Sequence, residues 1–232
     1  MTVDSDEDVE LADSPEPAPS SLTRVLMAVI AVAVVAIAVA GGFAWGHSSR
    51  TSPAAPYVPG PASVDGGFAR DMATHHQQAI TMATYAFDNS TDPDVRNLAY
   101  DIESSQTIEM GEMEGWLLNW NISRTSGTPM NWMPAEHRHL GPGGLMPGMA
   151  TPAQMNRLLS SHGKALDVLF LQLMIRHHQG GLPMEQWAVQ HAREPYVRDI
   201  AQSMLNDQQP QIIQMEQMLR GLGASPLPPP QD

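Results

Sequence analysis

The sequence contains no cysteine, which removes a whole class of chemistry. Without thiols the chain can form no disulfide bond, no thiolate nucleophile and no zinc site built on cysteine. Methionine is then the only soft metal ligand that remains. The chain has 16 Met and 9 His beside only 4 Phe, so thioether sulfur is abundant while aromatic residues are scarce.

Basic residues are scarce as well. The 232 residues include 12 Lys and Arg against 25 Asp and Glu, which gives a net charge of -13. Binding to nucleic-acid phosphates requires clustered Lys and Arg, so this composition argues against a nucleic-acid partner. The alternating pattern of β-strands is also absent, and we therefore predict an all-α fold.

The N-terminal part of the chain divides into three segments of different composition. Residues 1–21 are acidic and hold 7 acidic residues within their first 16 positions, which predicts a disordered tail. Residues 22–45 are apolar and long enough to cross a bilayer, which predicts a transmembrane helix or signal anchor. Residues 46–62 are rich in Pro and Ser and predict an extended linker.

A cleavable signal peptide is the alternative for the apolar segment, with Ala38 and Ala40 as small residues at a cleavage site. The segment is long for a signal peptide, and the residues before it are acidic where those of a signal peptide are basic. Arg24 and Arg50 flank it on opposite sides, so positive charges do not decide the orientation. Both interpretations place the rest of the chain outside the cytoplasm. We expect a single-pass membrane protein with its folded domain on the extracytoplasmic side, or else a secreted one.

The rest of the chain contains an internal repeat. Residues 65–117 align with residues 167–219 at an offset of 102 without a gap, and 16 of the 53 aligned positions are identical. Chance would give about 3 matches, so we interpret the repeat as a duplication. Both copies contain Phe-x-x-x-Met-x-x-His-His-Gln, beginning at Phe68 and at Phe170, and a further Met lies five residues after the Gln.

Each copy has the apolar spacing of two amphipathic helices joined by a turn. Two such hairpins predict a four-helix bundle, which we place at residues 63–222. Pro183 and Pro210 fall inside the helical pattern and predict kinks. Residues 123–150 join the copies as an irregular connector rich in Met and His, and residues 223–232 predict a disordered Pro-rich tail.

The repeated motif supplies a candidate site for a soft metal. In each copy one Met lies three residues before the first His and four before the second, and both spacings bring helical side chains together. The candidate ligands are Met72, His75 and His76 in the first copy and Met174, His177 and His178 in the second. Antiparallel pairing of the helices predicts Gln106 beside His75, Met110 beside Met72 and Gln208 near His177. A shell of Met and His suits Cu(I), with Ag(I) as a second candidate.

Other interpretations stay open. The methionines are ordinary core residues if the protein is a non-enzymatic interaction module or an accessory subunit of a membrane complex. A di-iron oxidase would need several Glu-x-x-His motifs, but only Glu136 to His139 has that spacing, and the second copy replaces Glu109 by Gln211. We therefore expect no enzymatic activity. The connector is either a mobile metal-capture arm or a surface loop.

The two motifs, with the stretch FLQLMIRHHQGGLPMEQWA of the second copy, resemble the domain of unknown function 305 family over about residues 63–222. The resemblance implies a ferritin-like fold, and some members are secreted, CopM-like proteins that bind copper or silver through Met and His. It implies a metal-binding role for the six motif ligands and for the family Met positions Met82, Met184, Met113 and Met215. We predict a membrane-anchored extracytoplasmic protein that binds Cu(I) for copper buffering, resistance or delivery.

Overall fold

The structure is a computed structural model, and it describes residues 20–48, 56–125 and 127–230. Six α-helices and two short 3-10 turns make up its regular structure, and these ranges contain no β-strand, as the sequence predicts. The chain divides into two compact units, one ending at Pro56 and the other beginning at Tyr57. The duplicated region lies entirely in the second unit.

Helix α1 spans Ser21–Ser48 and contains the predicted membrane segment. Over Ser21–Phe43 it is long and apolar enough to cross a membrane, and none of this window is buried. A membrane anchor and a signal sequence share these properties. The tail predicted for residues 1–21 lies almost entirely outside the described residues, and so do residues 49–55 of the linker predicted for 46–62.

The first copy folds into α2, Val64–Asn89, and α3, Pro93–Asn119. The hydroxyl of Ser63 caps α2 by accepting a backbone N–H of its first turn, and the side chain of Asp92 caps α3 in the same way. Proline is tolerated at the first position of α3 because that N–H has no intrahelical partner. The two helices form the predicted hairpin.

A short helix, α4 at Pro152–Leu158, precedes the second copy, which folds into α5, Gly163–His191, and α6, Pro195–Gly221. Pro183 lies inside α5 and Pro210 inside α6. Both helices continue past their proline. A bend at either position therefore does not divide the helix into two.

The two hairpins pack against each other mainly through α2 and α5. Two apolar clusters result, and each draws on both copies. The first cluster groups Met72 of α2 with Met184 of α5, and the second groups Met174 of α5 with Met82 of α2. All four side chains are fully buried. Residues before the histidines in one copy therefore meet residues after the histidines in the other.

The connector, residues 123–150, packs against α2. Met130 and Trp132 are buried in the first cluster. The carboxylate of Asp71 accepts the backbone N–H of Met130 and the indole N–H of Trp132. A Cβ at Gly67 would lie 2.3 Å from the Trp132 ring, so only glycine permits this approach. The described part of the connector is thus a packed segment and not a projecting arm.

The Pro-rich tail predicted to be disordered from residue 223 lies against the domain over part of its described length. Gln172 Nε2 donates to the carbonyl of Ser225 at 2.7 Å, and Leu227 packs on the second cluster. Residues 231–232 lie outside the described range.

Candidate metal centre

Four histidines lie between the two apolar clusters, and we call them the histidine layer. His75 and His76 come from α2, and His177 and His178 come from α5; none is more than 1% exposed. The rings of His75 and His177 lie against each other with their centroids 3.8 Å apart. The structure thus brings together the four histidines that the sequence singles out.

Backbone carbonyls fix the proton position on the two central rings. His75 Nε2 donates to the carbonyl of Pro147 in the connector at 3.0 Å, and His177 Nε2 donates to the carbonyl of His75 at 3.0 Å. A carbonyl oxygen only accepts, so both rings carry their proton on Nε2. Each neutral ring therefore has its lone pair on Nδ1.

Side chains of the neighbouring helices hold the two outer rings. His76 Nε2 donates to Glu109 Oε2 at 2.8 Å, and His178 Nε2 donates to Gln211 Oε1 at 2.8 Å. The Nδ1 atoms of His76 and His178 are buried and have no hydrogen-bond partner among the described residues. A histidine that donates one nitrogen to a supporting side chain and leaves the other free has the arrangement typical of a metal ligand.

The sequence did not predict the supporting role of Glu109 and Gln211, because the pairing expected for the helices was wrong by about one turn. Gln208, predicted near His177, lies instead beside Gly181 and Glu185. The same shift places Glu109 and Gln211 level with the outer histidines. Glu109 and Gln211 occupy equivalent positions in the two copies, and both side chains accept hydrogen bonds. This equivalence could have predicted that they have the same role.

The predicted methionine ligands divide between the two apolar clusters on either side of the histidine layer. The first cluster holds Met72, Met113 and Met184, with Met110 packed against it, and the second holds Met82, Met174 and Met215. All except Met110 are fully buried. Met72 therefore lies in one cluster with Met184 of the other copy, and Met174 lies in one cluster with Met82. The sequence did not predict this arrangement.

Burial favours the uncharged form of three histidines, His75, His177 and His178. It lowers the pKa of His75 to about 3 and the pKa of His178 to about 4. Burial, and then the neighbouring His75, lower the pKa of His177 well below its ordinary value. Glu185 on α5 is also buried, and burial followed by the charge of Glu109 raises the pKa of its carboxyl well above the ordinary value.

These pKa shifts predict how stability depends on pH in the metal-free protein. Between about pH 6.5 and 4 the unfolded chain binds protons on His75, His177 and His178 while the folded chain does not, so stability falls as pH falls. Each histidine contributes about 1.4 kcal/mol per pH unit in this window. Thermal melting of the full-length protein with a chelator should show a steep fall in Tm below pH 6.5.

Glu185 has the opposite effect, because its raised pKa lets the folded chain keep a proton that the unfolded chain loses above about pH 4.5. Below pH 6.5 the three histidines outweigh this single group, so the net stability still falls as pH falls. Glu185→Gln should therefore make the fall in Tm between about pH 6.5 and 4.5 steeper, because it removes the opposing contribution of Glu185. A melting temperature that is flat between pH 4 and 6.5 would contradict the uncharged state of His75, His177 and His178.

The atoms available as metal ligands determine which ions the site can bind. In the described ranges, no group of three or more His, Asp or Glu side chains is arranged to hold a metal ion. Hard cations such as Mg²⁺ and Ca²⁺ need clustered oxygen ligands of this kind. What the layer and its clusters offer is imidazole nitrogen with thioether sulfur, a set that favours soft ions such as Cu(I) and Ag(I).

The fold and the centre together define a duplicated all-helical protein with a buried histidine layer between methionine-rich clusters. A family model described as Domain of unknown function (DUF305) matches residues 65–219. The chain belongs to this family, which confirms the resemblance drawn from the two motifs. No curated protein matches the sequence.

Solved structures of family members share the fold. A DUF305 protein from Streptomyces coelicolor is 39% identical, with a TM-score of 0.66 over 73% of this chain and 99% of that one. A DUF305 fragment from Deinococcus radiodurans is 31% identical, with a TM-score of 0.58 over 72% and 99%. CopM in its Cu(I)-bound form is 25% identical, with a TM-score of 0.52 over 68% and 96%. CopM has also been solved with Cu(II) bound.

Proposed function

We propose that this protein binds Cu(I), and Ag(I) as an ion of the same class, in the histidine layer and its flanking methionines. The observation that carries the proposal is the pair of outer histidines, His76 and His178. Each has one nitrogen fixed by a side chain of the next helix and a buried Nδ1 without a partner. A buried polar atom without a partner is unfavourable in the metal-free state, and a metal ion would satisfy it.

The ion is cargo that the protein holds for buffering, resistance or delivery, and no chemical step on it is implied. The proposed ligands are Met72, His75, His76, Met174, His177 and His178, with Met82, Met110, Met113, Met184 and Met215 as further thioether donors. Copper bound to CopM, a structural relative of this chain, supports the choice of metal.

We also propose that the domain is a ferritin-like four-helix bundle held at the outer face of the cell membrane. Four long helices in two hairpins, joined through α2 and α5, support the first part. The apolar helix α1 supports an anchor, or a signal sequence in a secreted form. The Streptomyces relative is named as a candidate secreted protein, which agrees with a location outside the cytoplasm.

Competition with a chromogenic Cu(I) chelator tests the proposal on the full-length protein in detergent. We expect the wild type to bind Cu(I) more tightly than micromolar. Met72→Leu with Met174→Leu should weaken binding about tenfold or more, because leucine keeps the volume of the side chain but removes the sulfur.

A matched variant carries Met155→Leu and Met218→Leu, which change two partly buried methionines on the second cluster that are not proposed as ligands. Its affinity should equal that of the wild type. Binding no tighter than micromolar in the wild type, or equal losses in the two double variants, would overturn the proposal.

A further inference from the structure

A second group of Met and His residues lies outside the duplicated motif. It lines a cavity of about 730 Å³ between the connector and the C-terminal half of α5, which we call the connector cavity. Its soft and borderline donors are two thioethers and two imidazoles, from Met130, Met133, His137 and His139. The thioether residues are buried while both histidines are exposed. An ion could therefore reach this cavity from solvent, unlike the buried histidine layer.

The buried wall of the cavity is rigidly built. Met130 has a φ of 59°, a left-handed conformation that is uncommon for a residue other than glycine. Its backbone N–H is held by Asp71, and the carboxylate of Asp71 is also paired with Arg70 Nε at 2.9 Å. Strained backbone of this kind persists only where the surroundings determine it, and it concentrates at functional sites.

The opposite wall comes from α5 and carries polar groups without partners. The ring of Trp187 lies near two imidazoles, with its centroid 4.8 Å from that of His137 and 3.8 Å from that of His191. Trp187 Nε1 and Gln179 Oε1 are buried and have no hydrogen-bond partner among the described residues. Both residues line the cavity, but only the amide oxygen of Gln179 can act as a cation ligand, because an indole N–H only donates.

The lack of acidic side chains in the cavity wall further restricts which kind of ion the cavity can bind. The described residues that line the cavity include no Asp or Glu. Magnesium, calcium and manganese prefer carboxylate and carbonyl oxygen, whereas thioether and imidazole together prefer a soft ion of the Cu(I) or Ag(I) class. The cavity therefore has the donor set of the histidine layer without sharing any residue with it.

One peptide group separates the cavity from the histidine layer. Pro147 lines the cavity, and its carbonyl accepts the N–H of His75. The adjacent Gly148 has a φ of 80°, and its backbone lies against the carbonyl of Arg176 on α5. The connector cavity is thus the solvent-facing neighbour of the buried layer.

We propose that the connector cavity is a second, solvent-accessible site for a soft monovalent cation, with His137, His139, Met130 and Met133 as its donors. This site is separate from the histidine layer and does not require a metal there. Its position beside Pro147 suits it to capture ions ahead of the buried layer.

Equilibrium dialysis of the full-length protein in detergent against Ag(I), with elemental analysis, tests this assignment. Ag(I) avoids redox chemistry, and the cysteine-free chain has no thiols to compete. His137→Ala with His139→Ala should lower the bound silver by one ion per chain and leave the Tm unchanged, because both histidines are exposed. His162→Ala, a change outside both sites, should have no effect.

A companion variant separates this inference from the proposed function. His76→Gln with His178→Gln should lose the silver of the buried layer and keep that of the connector cavity. Unchanged silver content and affinity in His137→Ala with His139→Ala would overturn the connector site, whatever the companion shows. Unchanged binding in the companion would overturn the buried site and leave the connector site standing.

Discussion

Replacing His76 and His178 together by Gln is expected to weaken Cu(I) binding by about 100-fold or more. Removing a supporting residue around a metal ligand typically costs about 10- to 100-fold in affinity, so removal of two direct ligands should cost at least as much. Glutamine has a similar length and can still donate to Glu109 and to Gln211, so the layer keeps its supporting hydrogen bonds. Competition with a chromogenic Cu(I) chelator measures the change.

Variants of Glu109 supply the control for this expectation. The second copy already uses Gln211 where the first uses Glu109, so an amide is a sufficient acceptor for the N–H of the histidine. Glu109→Gln should therefore change Cu(I) affinity only slightly, whereas Glu109→Leu should lower it about 10- to 100-fold. Equal affinities for Glu109→Leu and Glu109→Gln would mean that the hydrogen bond to His76 has no part in metal binding.

The second large effect is expected from Gly180→Ala on α5. A Cβ at Gly180 would lie 2.2 Å from the carbonyl oxygen of Pro147, and a backbone atom cannot move aside as a side-chain tip can. The connector must shift, and His75 then loses the acceptor of its buried N–H. Overpacking and an unsatisfied buried donor each cost about 1–3 kcal/mol, so we expect a loss of about 3 kcal/mol.

For a chain of this size that loss corresponds to a fall in Tm of about 6–12 °C, measured by far-UV circular dichroism. Gly111→Ala is the matched control, because Gly111 is also helical and a Cβ there meets nothing within 4 Å. It should raise stability by about 0.5–1 kcal/mol, since alanine is the better helix residue. If Gly180→Ala has the same Tm as the wild type, the packing of the connector on α5 is refuted.

The elements that the sequence predicted well are those set by local pattern. The two helices of each copy followed from the spacing of apolar residues, which is a local property of the sequence. The duplication then identified the four buried histidines. A polar His-His pair at a core position is weak evidence for a site when it occurs once, and stronger evidence when both copies contain it.

What the sequence did not predict depends on how the elements meet. A shift of one turn between antiparallel helices changed the neighbour of His76 to Glu109, and no local signal fixes that register. The grouping of Met72 with Met184 depends on the packing of α2 on α5, which is a tertiary contact between distant parts of the chain. The order of the connector depends on Asp71, whose carboxylate binds residues about 60 positions away along the chain.

X-ray absorption at the copper edge tests the central claim most directly. The full-length protein carrying His137→Ala and His139→Ala, loaded with less than one equivalent of Cu(I), restricts the metal to the histidine layer. Because the chain has no cysteine, any sulfur bound to copper must come from methionine. We predict a first shell that combines imidazole nitrogen with sulfur, and a smaller sulfur contribution when Met72 and Met174 are changed to Leu. A first shell of nitrogen and oxygen alone would contradict a site built from the repeated Met-x-x-His-His motif.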